Sequence, residues 1–273
     1  MARNRRKDKS MDDLLLRDDA DGIATLTLNA PARLNALSDE MLTALQNQID
    51  LLAQDSTTRV VILRGTGRAF CAGHDLKQMQ AKRAEADGGA AALKTLFDRC
   101  AAMMMGLQAL PQPVIAQVHG IATAAGCQLV ATADLAVAAR STRFGVNGVN
   151  IGLFCSTPMV ALSRTIGRKA AFEMLTTGEM IPAERAAELG LINHAVPDAE
   201  LQSATRALAD RIAGKLRAAV SIGKRAFYDQ AELRLADAYA YTGEVMVQNI
   251  GLRDTDEGIN AFLEKRAPDW AED

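Results

Sequence analysis

Three features of this sequence predict an α/β fold. Two β-branched apolar runs, Val60 to Leu63 and Val114 to Val118, each lead through small residues into a helix-like stretch. The order strand, strand, helix recurs through Leu135 to Ala138 and again toward Leu191 to Val196. Beyond Pro197 the pattern turns helical, with no proline before Pro268. Strands alternating with helices specify a layered α/β domain, and a closing run of helices specifies an added helical layer.

Taken in order, Met1 to Ser10 is basic, and the apolar run behind it, Leu14 to Leu16, is far too short for a secretory signal core. Residues 1–12 are therefore expected to form a disordered basic tail, with Asp8, Asp12 and Asp13 opposing a transit peptide. Fold-like patterning is expected from near Asp21, where the alternation of 22–28 reads as a half-buried strand. Ser38 then opens a helix whose apolar residues Leu42, Leu45, Ile49 and Leu52 recur at helical spacing. Gln80 to Ala92 is polar and carries Gly88-Gly89, so a mobile loop is expected. Ile121 to Ala139 approaches the length of a membrane span, but Gly126, Gln128 and Asp134 interrupt it, and a buried helix followed by a core strand is the reading. After Pro197 helices are expected at 201–215, 219–229, 233–250 and 255–263. The chain thus divides into a tail (1–12), an α/β core (13–197) and a helical region (198–273).

Composition narrows the function classes. A net charge of −2 leaves no cationic surplus for a nucleic-acid backbone, and no membrane association is expected. Three histidines and four isolated cysteines, Cys71, Cys100, Cys127 and Cys155, give neither zinc-ligand spacing nor a disulfide framework. Buried thiols in a reducing compartment are expected, the cytoplasm or, for a eukaryotic chain, the mitochondrial matrix. The absence of G-x-G-x-x-G, Walker and G-x-S-x-G segments argues against dinucleotide or ATP cofactors and against a Ser/His/Asp hydrolase.

Two segments are the most informative: Phe70-Cys-Ala-Gly-His-Asp-Leu-Lys77 and His119-Gly-Ile-Ala-Thr-Ala-Ala-Gly-Cys-Gln-Leu129. Each sets small residues at a strand-to-helix junction, where a ligand can approach the main chain and the free amides of a helix start favour negative charge. Two such junctions facing each other would hold a developing oxyanion from both sides. The pair resembles the signature segments of the crotonase superfamily, the enoyl-CoA hydratase/isomerase family. Asn29-Ala-Pro-Ala-Arg-Leu-Asn-Ala-Leu37, Phe144-Gly145 before Gly152, Thr177-Gly178 with Pro182-Ala183, and Glu257-Gly-Ile-Asn-Ala-Phe-Leu-Glu-Lys-Arg266 agree with it in order and spacing. Within the family, the signature variants here are most similar to one branch whose chemistry is poorly defined.

The resemblance implies a crotonase-like ββα spiral with a C-terminal helical trimerisation region, assembled as a homotrimer or dimer of trimers. It implies an acyl-CoA thioester as ligand, with coenzyme A as part of the substrate, no separate cofactor and no metal. By motif position the oxyanion amides fall on His74 and Ala125, and Asp75 and Gln78 have the spacing of a capping box. Coenzyme A contacts fall on Arg33, Ala72, Asp75, Leu76, Lys77 and, from a neighbouring subunit, Lys265 or Arg266. The two proton-transferring glutamates fall on Gln128 and Gly148, and neither residue can exchange a proton near neutral pH. Hydration is therefore expected to be weak or absent, and restoring glutamate at both positions is expected to raise a rate in a competent pocket. A lyase or isomerase acting on a CoA thioester of fatty acid metabolism remains the first reading. One alternative is a malonyl-type acyl-CoA decarboxylase, because loss of carbon dioxide generates the enolate without a base. The other is a non-catalytic acyl-CoA-binding regulatory protein. Asn147, Asn150 and Ser156 are polar candidates near the reacting carbon, whereas His119, His194 and Cys127 read as structural.

Overall fold

The structure, a computed structural model, describes residues 14–271, and the expected tail lies outside the described residues. The chain opens with a hairpin, β1 (Leu15–Ala20) and β2 (Ile23–Leu28), turned by Asp21 and Gly22, both at positive φ. Folded structure thus begins earlier than the alternation near Asp21 suggests, because Leu15 pairs with Leu28 and is buried. Helix α1 (Asp39–Ala53) follows, capped by the Ser38 hydroxyl, which accepts from the Met41 N–H. Its expected apolar stripe, Leu42, Leu45, Ile49 and Leu52, is buried.

Next come β3 (Val60–Gly65), α2 (Leu76–Lys82) and α3 (Ala90–Ala109). The stretch expected as a loop is therefore helical at its start and end, and only 83–89 forms the turn between α2 and α3. Strands β4 (Val114–Val118) and β5 (Ile121–Thr123) lead into α4 (Ala125–Thr132), then β6 (Leu135–Ala139) and β7 (Arg143–Gly145). A 3₁₀ turn (Asn147–Ile151) precedes α5 (Pro158–Thr165), α6 (Arg168–Thr177), β8 (Ile181–Pro182), α7 (Ala183–Leu189) and β9 (His194–Val196). Among the described residues four more helices follow: α8 (Leu201–Ala213), α9 (Arg217–Ala231), α10 (Leu235–Ile250) and α11 (Arg253–Leu263).

The strands form two sheets. The larger has the order β1-β2-β3-β4-β6-β9, parallel except for the β1–β2 hairpin, and the smaller has the order β5-β7-β8. Successive strands alternate between the sheets: β4 and β6 join the larger, β5 and β7 the smaller. The backbone so winds as a spiral of strand, strand, helix turns. A main core of Leu26, Leu63, Phe70, Met103, Leu129 and Phe144 fills the inside. A second cluster joins Ile23, Val60, Ile115 and Val137, on the sheet's other face, to Leu201 and Ala209 of α8. Residues of β2 are accordingly buried on both faces, not half-buried, because helices cover a largely parallel sheet from both sides. The helical region after 198 is thus heterogeneous: α8 completes the sheet's packing, while in α10 only Ala238 is buried. Among the described residues no helix is long and apolar enough to cross a membrane.

Candidate active site

The two signature segments meet. Cys71 bridges Ala122 in parallel fashion, its N–H donating to the Ile121 carbonyl at 3.2 Å while its carbonyl accepts from Thr123 N–H at 3.1 Å. The first segment thereby extends the small sheet and passes beside the start of α4. Gly73 has φ +88°, and a Cβ there would stand 2.9 Å from Ala124 Cβ and 3.2 Å from the Ala125 nitrogen. Only glycine gives both this conformation and this approach. His74 follows Gly73 directly, and the bridge from 74 to Leu37 is closed by Leu37 N–H on the Gly73 carbonyl at 2.8 Å, not by the His74 amide. Ala125 is the first residue of α4, so its N–H belongs to the set a helix start leaves without an intrahelical partner. The residue before it, Ala124, is held at φ 50°, ψ −121°, with its N–H on the Gly145 carbonyl at 2.9 Å. An L-residue rarely adopts this conformation, and its strain orients the peptide that carries the Ala125 amide.

Asp75 caps α2, accepting from Lys77 N–H at 2.9 Å and Gln78 N–H at 3.2 Å. The expected reciprocal half of a capping box is absent. Gln78 instead accepts from Asp39 N–H at 2.9 Å and donates to the Glu40 carboxylate at 3.0 Å. The bond across elements wins because the start of α1 has its own unpaired N–H and the Leu37–His74 bridge brings it within reach. Arg33 approaches Asp75 at 3.9 Å, Ala72 N–H is bonded to the Leu34 carbonyl at 3.0 Å, and Leu76 and Lys77 lie exposed on the first turn of α2. Among the described residues, no hydrogen bond or ion pair links Lys265, at the end of α11, to this group. Arg266 is engaged by Glu257 at 2.6 and 2.9 Å and by Glu264 at 2.6 Å, so a phosphate would have to displace both carboxylates.

Gln128 is buried in α4. Gly148 is buried as well, and a Cβ added there would collide with the Leu153 carbonyl oxygen and stand 2.9 Å from Cys155 Sγ. The segment folds back on itself, Leu153 N–H donating to the Gly148 carbonyl at 3.0 Å. Restoring glutamate at both positions is therefore not the simple repair the motif suggests, since the path of a side chain from 148 is filled by backbone. Nothing in the sequence signals this wall, because Leu153 and Cys155 reach Gly148 only through the loop's tertiary path.

The remaining polar groups are mostly structural. Thr123 Oγ1 donates to Asn147 Oδ1 at 2.6 Å, Asn150 Nδ2 donates to the Gly178 carbonyl at 3.3 Å, and Ser156 bonds its own loop at the Phe154 carbonyl. His119 Nε2 lies 2.8 Å from the Gly67 carbonyl, and His194 is exposed on β9. Burial pushes the thiols of Cys71 and Cys127 up to about 12, which makes them packing residues and not nucleophiles at neutral pH. All four cysteines are free and buried. The His74 imidazole packs edge-on against Phe97, with ring centroids 5.6 Å apart, and among the described residues neither ring nitrogen has a partner at hydrogen-bond geometry. Burial holds it below the ordinary histidine range, opposed in part by the Leu37 carbonyl and Asp39.

Comparison with known proteins agrees with this architecture. Residues 18–273 match the family model described as enoyl-CoA hydratase/isomerase. A crystal structure of an enoyl-CoA hydratase from Mycobacterium smegmatis superimposes with a TM-score of 0.91 at 53% identity, covering 94% of this chain and 98% of that one. The human mitochondrial enoyl-CoA hydratase domain-containing protein 3 is 46% identical over 251 residues, 92% of this chain and 81% of the relative, and represents the branch that the signature segments resemble. The 2,3-dehydroadipyl-CoA hydratase of Escherichia coli K12 is 34% identical over 250 residues, 91% of this chain and 94% of the relative. By its segments, its spiral and these similarities, the chain belongs to the enoyl-CoA hydratase/isomerase family of the crotonase superfamily.

Proposed function

We propose that this protein binds acyl-CoA thioesters at the Gly73–Ala125 junction, with the backbone amides of His74 and Ala125 as the donors to the thioester carbonyl. The carrying observation is the approach of the two segments, a Cβ on Gly73 lying 3.2 Å from the Ala125 nitrogen. Donors of this kind stabilise an enolate oxyanion, each by roughly 3 kcal/mol in enzymes that use them. Arg33, Lys77 and Lys265 are the candidate cations for the coenzyme A phosphates. The set lacks a proton-transferring pair. Gln128 cannot take a proton from water, and the wall behind Gly148 leaves no room for a carboxylate. Ordinary hydration of enoyl-CoA is therefore weak or absent in this reading.

The same wall favours a second reading, decarboxylation of a malonyl-type acyl-CoA, in which the departing carbon dioxide leaves its electron pair on the enolate and no base is required. The exposed apolar side chains of α10 and α11 support assembly of three copies or six. Free, buried thiols and relatives named as mitochondrial support a reducing compartment, the cytoplasm or the mitochondrial matrix.

The test is direct. Purified protein is expected to bind acetyl-CoA or butyryl-CoA in calorimetry and to hydrate crotonoyl-CoA barely above buffer. Gln128→Glu alone is expected to raise that hydration rate, by ~10²-fold if one acid/base group is recovered. Gly148→Glu added to it is expected to lower the melting temperature without raising the rate further. Absence of binding to every CoA thioester would sink the proposal, and release of carbon dioxide from malonyl-CoA or methylmalonyl-CoA decides the second reading.

A further inference from the structure

Gln128 is 6% exposed, and its Oε1 has no hydrogen-bond partner among the described residues. An unpaired amide oxygen is costly to bury, and where the orphan stands beside a ligand-binding junction a water or the ligand itself is the natural partner. The side chain's position says what that place is. Gln128 lies three residues after Ala125 on the same helix, its own N–H bonded to the Ala124 carbonyl at 3.0 Å. Residues three apart share a helix face, and helical side chains lean toward the N-terminus, so the carboxamide lies over the turn that begins at Ala125. That turn carries the amide facing Gly73. At the other position where the family places a glutamate, Gly148 is closed by the Leu153 carbonyl and Cys155. Of these two positions, only Gln128 can extend a polar group toward the acyl carbons.

A carboxamide moves no proton, but it recognises oxygen in two ways: its oxygen accepts from a hydroxyl, and its NH₂ donates to a carboxylate or ketone. We propose that Gln128 is a specificity residue that binds an oxygen-bearing substituent on C2 or C3 of the acyl group. The thioesters preferred by this site are then 3-hydroxyacyl or malonyl-type, in place of plain alkyl ones. This rests on the thioester-binding reading above and adds the class of acyl group to it.

Calorimetric titration of the full chain with butyryl-CoA, 3-hydroxybutyryl-CoA and malonyl-CoA tests it. The wild type is expected to prefer at least one oxygenated thioester by about tenfold, the size of one net hydrogen bond to a buried partner. Gln128→Met keeps the length and removes both polar atoms, and is expected to bind all three at the level of butyryl-CoA. Gln128→Glu keeps an acceptor and adds charge, and is expected to lose malonyl-CoA selectively. A preference for the hydroxy compound assigns the accepting role to Oε1, and one for malonyl-CoA assigns the donating role to Nε2. Equal wild-type affinity for all three, or a preference that survives in both variants, overturns the inference while thioester binding stands. No binding of any of the three overturns the underlying function and the inference with it.

Discussion

At the residue scale, the site depends on a few backbone conformations that side-chain chemistry alone does not reveal. Ala124 occupies a region of φ/ψ space that glycine enters freely, and holding alanine there costs of order 1–3 kcal/mol. Ala124→Gly is therefore expected to raise the free energy of unfolding by about 1 kcal/mol in urea titration, and a destabilised variant would show the strain to be absent. His74 makes a prediction on pH. Its buried ring is held below the ordinary range, so between the folded value and the unfolded one near ~6.5 the unfolded chain binds more protons. Stability present above pH ~6.5 is accordingly lost as pH falls through that value. His74→Phe, which preserves packing on Phe97, is expected to flatten that part of the curve in thermal melts between neutral pH and pH ~5. Thioester affinity is expected to persist in this variant, because the role assigned to residue 74 is its main-chain N–H.

At the element scale, helix α9 is docked by a buried charge. Lys224 Nζ lies 2.7 Å from Asp134 Oδ2 and donates to the carbonyls of Leu107 and Gln112 at 3.1 and 2.9 Å. Asp134 in turn accepts from Val114 N–H at 2.6 Å and Tyr228 O–H at 2.8 Å. Burial draws the ammonium down from its ordinary value, with Asp134 opposing. All three ammonium protons are used, so removing the lysine leaves a largely buried carboxylate without its counter-ion and takes a donor from two carbonyls. Lys224→Met is expected to cost about 3–5 kcal/mol in equilibrium unfolding, whereas an exposed pair such as Lys94–Asp98 should cost under ~1 kcal/mol. The sequence showed Asp134 only as an interruption of an apolar run, and its side-chain partners, Lys224 and Tyr228, far downstream on α9, carried no visible signal. Periodicity was more informative for α1, where Ser38 and the 42-45-49-52 stripe mark both the start and the buried face.

At the scale of the whole molecule, the C-terminal helices leave a large apolar surface uncovered in the single chain. Tyr239, Val247 and Phe262 are 73%, 71% and 82% exposed, with Met246, Ile250 and Leu263 also exposed. Large apolar side chains left exposed together on neighbouring helices mark an interaction site. Sedimentation velocity is expected to give a trimer or hexamer, and Val247→Glu with Phe262→Glu is expected to shift the chain toward monomer. A monomeric wild type at micromolar concentration would overturn the assembly reading.

What the sequence by itself determined is what depends on local order: the strand and helix runs, the capped start of α1, and the two small-residue junctions that mark the family. These are readable because backbone geometry follows from neighbours in the chain. Other decisions belonged to the tertiary structure alone: the cross-element bonds of Gln78, the docking of α9 on Asp134, the strain at Ala124 and the wall behind Gly148. Each arises where the spiral brings distant segments into contact. Contact across turns depends on how far each one winds, which no short stretch of residues encodes.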